Sequence, residues 1–553
     1  METMVVAESV LRLDASWVDY SLVALYFVFV LGIGWAARAR VSSSIDFFLS
    51  GRGLPSWVTG LAFISANLGA VEIIGHSANG VQYGMQTMQY FWIGAVPAMV
   101  FLGIVMMPFY YGSKVRSVPE FMLKRFGPTA HLVNAISFAL AQLLIAGVNL
   151  LLLAKVVNSL LGWPLWVTLL VAAVIVLSYI TLGGLSAAIY NEVLQFFVIV
   201  AALLPLTLIG LHRVGGWGGL KGSLNAESHF HTWPGQDISG FDNPIISAIG
   251  IAFGLGFVLS FGYWTTNFVE VQRAMASESL SSARKTPIIG AFPKMLIPFV
   301  VVIPGMVASV LVTPIKDETA EPNDAILYLM RDLLPNGLLG VAIAGLLAAF
   351  MAGMAANISA FNTVMSYDIW QTYVVKDRDD EYYLKFGRIA TILAAVIAVG
   401  TALVAMNFGN VMDYLQTLFG FFNAPLFATF ILGMFWKRMT PTAGWVGLVT
   451  GTLAAVVFWG LSLGSTPVVS LPGQGVAFVA ASIAFATDII VSILVTMVTK
   501  PKPDEELVGF VRSVTPKVQL VDTTEAEQPW YHRTVPLGIV CLVLVIALNI
   551  AFA

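Results

Sequence analysis

Apolar residues in this chain fall in long runs separated by short polar stretches. A helix needs about 20 mostly apolar residues to cross the hydrocarbon of a bilayer. By that measure the pattern predicts roughly fourteen spans, the first seven near 17–37, 54–76, 86–111, 131–159, 163–182, 186–211 and 245–270. The other seven lie near 286–314, 336–372, 388–408, 411–436, 443–464, 474–499 and 534–553. The first run is too long for a removable signal peptide and has neither a basic start nor a cleavage site. The fold class expected is an all-α integral membrane protein.

Composition points the same way. The 553 residues are 58% hydrophobic and 11% charged, with mean hydropathy +0.84. Soluble chains are about 45–50% apolar and about 25% charged. With 28 basic and 31 acidic residues, a water-facing surface of this size cannot be covered, so an ordinary soluble enzyme is excluded. The 49 glycines and the many aromatic residues suit close helix packing and interfacial belts. Net charge is −3, without a basic block of the kind that binds nucleic acid. One cysteine, Cys541, permits neither an internal disulfide nor a cysteine metal cluster.

Charge placement sets the orientation. With the N-terminus outside, 21 of the 28 Lys and Arg fall on inside loops. Arg12, Arg213, Lys221, Lys316 and Arg331 fall outside, and Lys155 and Lys294 lie within or at the edge of spans. Positively charged loops stay in the cytoplasm, so both termini are expected outside, with the chain in the plasma membrane. Loop 212–244 carries a Gly-rich stretch and His229 and His231, read as solvated for want of a third metal ligand. No P-loop and no HExxH motif is present, so transport would draw on an ion gradient.

Two spans carry small and polar residues where a helix would otherwise run unbroken. Ser65 to Glu72 lies in the second, and Ser260 to Asn267 in the seventh. Interrupted helices form midplane sites in transporters built from inverted repeats, whereas Ser, Gly and Asn also simply pack helices together. An offset of five spans predicts a five-plus-five repeat behind one leading helix. The expected domains are 1–50 (leading helix and inside loop), 51–240 and 241–440 (the repeats), and 441–553 (three further spans).

Ionisable residues at depth are costly and usually paired. Glu72 and His76 share a helix face, Glu192 follows a Gly-Gly turn, and Lys294 opens the eighth span. Glu72 admits two readings, a proton carrier or a counter-ion for Lys294. Asp368 and Glu270 lie near inside ends and are expected to be solvated.

The stretch Tyr179-Ile180-Thr181-Leu182-Gly183-Gly184-Leu185-Ser186-Ala187, with Glu192 and Gln195, resembles the sodium:solute symporter signature. Ser65-Ala66-Asn67-Leu68-Gly69, Arg116-Ser117-Val118-Pro119-Glu120-Phe121 and Gln272-Arg273 do so too. Gly433-Met434-Phe435-Trp436-Lys437-Arg438 is similar to the second signature, although Ala443-Gly444 reverses its usual Gly-Ala. The resemblance runs along essentially the whole chain and is greatest to the sodium/glucose (galactose) branch. It implies a LeuT-type core from spans two to eleven, alternating access, and no cofactor beyond a coupling cation.

The resemblance also implies site residues, and here the match is partial. Asn67, Lys294, Gln416 and the gating Tyr263 match the sugar-branch positions, while Glu72 replaces an amide and Ser260 an Asn. Tyr90-Phe91 replaces a Tyr-Glu pair, and His76 adds a titratable group. The implied sodium site takes backbone carbonyls at Ser65 and Leu68, with ninth-span positions falling on Ala349, Ala352 and Gly353. Those three offer no side-chain oxygen, although a hard cation needs a shell of oxygens. Either the sodium site is weakened or absent here, or Glu192 and waters fill it, and proton coupling is the alternative. The substrate implied is a small polar solute, a sugar first, imported by symport. Another small solute, an uncoupled uniporter and a membrane sensor on a transporter-like fold are the rivals.

Overall fold

The computed structural model describes residues 11–38, 44–224, 227–406, 411–464 and 467–553. The first helix, α1 (Trp17–Arg38), precedes a bent pair, α2 (Ser56–Asn67) and α3 (Ala70–Tyr83). Next come α4 (Tyr90–Gly112), α5 (Pro128–Leu161) and α6 (Leu165–Arg213). A second interrupted helix is α7 (Pro244–Thr266) with α8 (Phe268–Met275), followed by α9 (Leu280–Leu311). After α10 (Leu338–Val374) and α11 (Asp380–Ala405) come α12 (Val411–Phe435), α13 (Pro441–Gly460), α14 (Gly475–Val498) and α15 (Thr534–Ala551).

Twelve helices among the described residues are long and apolar enough to cross a membrane, or thirteen if the bent pair counts as one span. The expected fourteen therefore is not reached by that measure. The remaining run, 163–182, forms the first part of α6, up to the kink at Gly184, and Leu165–Val174 is the portion of it counted among the described residues. Within α6 the chain turns at Gly184, where φ is 55° and ψ −150°, a conformation that a Cβ disfavours. The side chains of Tyr179 to Gly183 in the signature, together with Arg40 and the ten N-terminal residues, lie outside the described residues.

Packing follows the apolar faces. Helix α9 runs along both α2 and α3, and α10 packs on α5 and α6. Helix α1 lies against α6 and α10, whereas α13 and α14 pair with each other and pack on α12, with α14 also meeting α7 and α13 also meeting α5. Large apolar side chains cover the outside: Phe29 on α1, Val396 on α11, Val543 and Ile546 on α15 are all exposed. A bilayer is the solvent that accepts such a surface. Among the described residues there is no strand, only an isolated parallel bridge between Leu54 and Ser277.

Candidate functional site

Both polar-rich spans are broken. Helix α2 stops at Asn67, and the chain bends by 53° before α3 continues. Leu68 (φ −73°, ψ 45°) and Gly69 (φ −73°, ψ 179°) are outside helical geometry. The Gly69 N–H turns to the Asn67 carbonyl at 2.7 Å. Carbonyls at a helix end have no intrahelical partner, so the break presents oxygen atoms at depth. In the second case Asn267 is extended (φ −71°, ψ 115°), and its side chain accepts from the Val269 N–H at 3.0 Å, capping α8. One asparagine thus both ends a helix and starts the next.

Between the two breaks lies a cavity. Its walls include Asn67, Glu72 and His76 from the first broken helix, Tyr90 from α4, and Ser260 and Tyr263 from α7. Lys294 from α9 and Gln416 from α12 complete the wall. All eight residues singled out for substrate in the sequence therefore meet in one place.

The centre of the cavity wall is charged. Lys294, 1% exposed, donates through Nζ to Glu72 Oε2 at 2.7 Å and also to Asn67 Oδ1. The same ammonium lies 4.6 Å from the Phe91 ring centroid and 5.2 Å from that of Trp264, each a favourable cation–π position. The lost carboxylate at Phe91 is thus replaced by an aromatic face under the cation. Of the two readings for Glu72, the geometry shows the counter-ion. His76 Nε2 stands 3.5 Å from Glu72 Oε1, and its ring packs against Tyr90 and Phe91.

From Asn67 the hydrogen bonds continue inward. Asn67 Nδ2 donates to the Tyr263 hydroxyl at 3.1 Å, and that hydroxyl donates to Glu270 Oε1 at 2.8 Å. Tyr263 rests on Phe419, ring centroids 4.6 Å apart. Glu270 and Asp368 are not solvated as expected: both are buried. Helix α8 folds back into the protein instead of leaving it, and Asp368 Oδ1 meets His131 Nε2 at 2.9 Å.

The positions expected for an ion divide. Ser65 and Leu68 sit at the first break, and Gly353 and Ala349 face it across α10. A Cβ placed on Gly69 would lie 3.3 Å from Gly353 Cα and 3.7 Å from the Ala349 carbonyl oxygen. Ala352 is buried and has no side-chain oxygen to offer. Glu192 does not stand free to complete a sodium shell. Its two oxygens accept from Arg273, Nη2 at 2.5 Å and Nε at 3.2 Å, and both residues are fully buried. A buried carboxylate committed to a guanidinium fork is a structural pair.

The oxygens that sequence reasoning missed come from elsewhere. Asn149 on α5 is 3% exposed and lines the cavity, and its Oδ1 has no hydrogen-bond partner among the described residues. That oxygen lies 3.3 Å from a Cβ placed on Gly69. The Ser65 hydroxyl, at the same break, is buried and likewise without a partner there. Asn357 donates to the Gly353 carbonyl at 2.7 Å. Asn149 is one of several polar residues on α5, with His131, Asn134 and Gln142, so its position in the sequence gave no distinct signal.

Comparison with known proteins fits this geometry. The model of the sodium:solute symporter family matches residues 47–451. A sodium/glucose cotransporter of Vibrio parahaemolyticus is 29% identical over 465 residues, covering 80% of this chain and 84% of that protein. Sodium/glucose cotransporter 4 of Danio rerio is 27% identical over 554 residues, covering 93% and 83%. Among solved structures, a Na+-coupled sialic acid symporter in a substrate-bound outward-open state superposes with TM-score 0.73 at 18% identity. It covers 88% of this chain and 99% of that one. A nucleobase-cation-symport-1 family transporter in a closed conformation gives 0.51 at 13%, covering 82% and 94%. These two share the LeuT-type fold. The chain belongs to the sodium:solute symporter family, an integral membrane transporter and not an enzyme.

Proposed function

We propose that this protein imports a small hydroxylated solute, a sugar such as glucose or galactose, together with sodium. The observation that carries the reading is the convergence of Asn67, Glu72, Lys294 and Gln416 on one buried cavity between two broken helices. A sugar presents hydroxyls that both donate and accept. Lys294 supplies a donor, Glu72 an acceptor, and the two amides supply both. Trp264 and Tyr263 add apolar faces to the same wall. The names of the relatives support the sugar.

Sodium is cargo in this reading. The break offers it the unpartnered Ser65 hydroxyl, the Asn149 amide oxygen and the carbonyls at the end of α2, an all-oxygen set suited to a hard cation. The side-chain oxygens absent from Ala349, Ala352 and Gly353 thereby come from the opposite wall. Sodium holds the break in its outward-facing arrangement, and solute then binds beside it. The two five-helix halves, 51–240 and 241–440, rock about the site, and Tyr263 yields on the inner side. Coupling follows because both ligands favour the same conformations. Both termini lie outside in the plasma membrane, as the basic loops require.

Equilibrium binding of labelled galactose and glucose to the purified full-length protein tests this. Binding is expected in sodium, weaker at least tenfold in choline, and lost in Gln416→Ala. Equal binding in sodium and choline removes the coupling, and no binding of either sugar removes the substrate class.

A further inference from the structure

Behind the gating tyrosine sits an acid for which the solute site has no use. Glu270, on α8, is fully buried. Its Oε1 accepts the Tyr263 hydroxyl at 2.8 Å, and its Oε2 has no hydrogen-bond partner among the described residues. The neighbouring cation is engaged elsewhere. Arg273 spends Nε and Nη2 on Glu192, and Nη1 on the Val269 carbonyl and Gln272 Oε1. Lys294 is held by Glu72 and Asn67. Of the elements packed on α8, α2 and α10 bring no ionisable side chain at 56–67 or 338–363, α9 brings Lys294 together with Arg284 and Lys285, which engage Glu525 and Gln528, and the helix Ser44–Leu49 brings Asp46. Tyr110, from the end of α4, gives its hydroxyl to the Thr265 carbonyl. The charged and titratable groups that act on Glu270 are therefore Tyr263, Arg273, Lys294 and Glu192.

We propose that Glu270 is a proton-binding site on the inner side of the gate, occupied while Tyr263 is closed and emptied when it opens. A carboxylate in this position leaves a buried charge with one oxygen unsatisfied. A carboxylic acid places the proton on Oε2 and keeps Oε1 as acceptor for Tyr263. Movement of Tyr263 admits water. The O–H bond at Oε2 then breaks, the proton passes to water on the inner side, and the carboxylate stays hydrated until the gate recloses and it takes a proton back. The chain Lys294–Asn67–Tyr263–Glu270 connects this event to solute, since a ligand that competes for Asn67 alters the partner of Tyr263. The inference rests on Tyr263 as the gate and is independent of which solute is carried.

Infrared spectroscopy of the full-length protein in lipid vesicles reads the proton directly. The expected result is a protonated-carboxyl C=O band at neutral pH that vanishes in Glu270→Gln and persists in Glu72→Gln. Superimposable spectra of wild type and Glu270→Gln overturn the proposal. Tyr263→Phe, which keeps the acid but removes its donor, should shift that band to higher frequency, and an unmoved band overturns it equally. Wherever uptake is measurable, Glu270→Gln should flatten its pH profile, and an unchanged profile counts against the site. The infrared result stands without any transported sugar, so a failure of the sugar assignment and a failure of this site are told apart.

Discussion

Two buried glutamates flank the same hydrogen-bonded chain and are treated in opposite ways. Glu72, after the first break, has an ammonium at 2.7 Å and a histidine at 3.5 Å. Glu270, after the second, has one phenolic donor and no cation of its own. The first break therefore stores a fixed charge pair, and the second an acid that can change its proton. Burying a pair roughly balances desolvation against attraction, but removing one partner costs about 3–5 kcal/mol. Pairing, more than depth, decides whether a membrane-buried carboxylate is scaffold or switch.

The most severe way to break this comparison is Lys294→Ala. It leaves Glu72 unpaired and removes a donor from the cavity, so solute uptake should fall about a hundredfold or more, in line with about 3 kcal/mol. Restoring neutrality with Glu72→Gln on that background should recover protein stability, read by thermal unfolding in detergent, without recovering uptake. Recovery of neither would show that the two side chains are not a pair. Tyr263→Phe comes next. It cuts the link between the two regions, removing one donated and one accepted hydrogen bond at about 1 kcal/mol each, and should lower coupled uptake about thirtyfold. Unchanged coupling in that variant would separate the cavity from Glu270.

Gly69→Ala acts on the break itself. The new Cβ would sit 3.3 Å from both Gly353 Cα and Asn149 Oδ1, tight enough to displace them by a few tenths of an ångström, at about 1 kcal/mol. Half-saturating sodium should rise several-fold while maximal uptake stays near normal. An unaltered sodium dependence would place the ion elsewhere. The smallest effect concerns Glu120, outside the spans. Burial works to raise its pKa, but Arg116, its N–H and Lys124 outweigh this and hold the carboxyl below its usual range. A lowered folded value means that the carboxylate stabilises above the usual range, and that this is lost as pH falls through the lowered value. Glu120→Gln should lose about 1 kcal/mol at neutral pH and show a flatter acid limb in thermal unfolding.

Much of this was readable from the chain, for reasons that differ by residue. The broken helices announced themselves because Asn67, Gly69 and Asn267 are poor choices inside an apolar helix and good ones at its end. The Arg116 to Phe121 motif is legible as a helix start: Ser117 accepts from the Glu120 N–H at 2.9 Å, and Glu120 accepts from the Arg116 N–H at 2.6 Å. The eight residues expected for the solute came mostly from the family resemblance, with Glu72 and His76 also marked by their shared helix face. What escaped was long-range pairing. Glu192 and Arg273 are 81 residues apart, and nothing local in either helix joins them. Glu270 was placed in solvent because spans were counted as straight rods, whereas α8 returns into the protein. Asn149 is one amide among apolar neighbours, and only the close approach at Gly69 gives it a role. The runs near 163–182 and 186–211 meet at Gly184, where the backbone leaves helical geometry (φ 55°, ψ −150°), so the glycine pair between them marks the kink in α6.

Uptake of labelled glucose and galactose into proteoliposomes tests the central claim most directly. One arm carries an inward sodium gradient at equal pH, the other an inward proton gradient without sodium. The account predicts accumulation against a gradient in the sodium arm, with its size sensitive to internal pH through Glu270. Accumulation in the proton arm alone, or in neither arm, would contradict it.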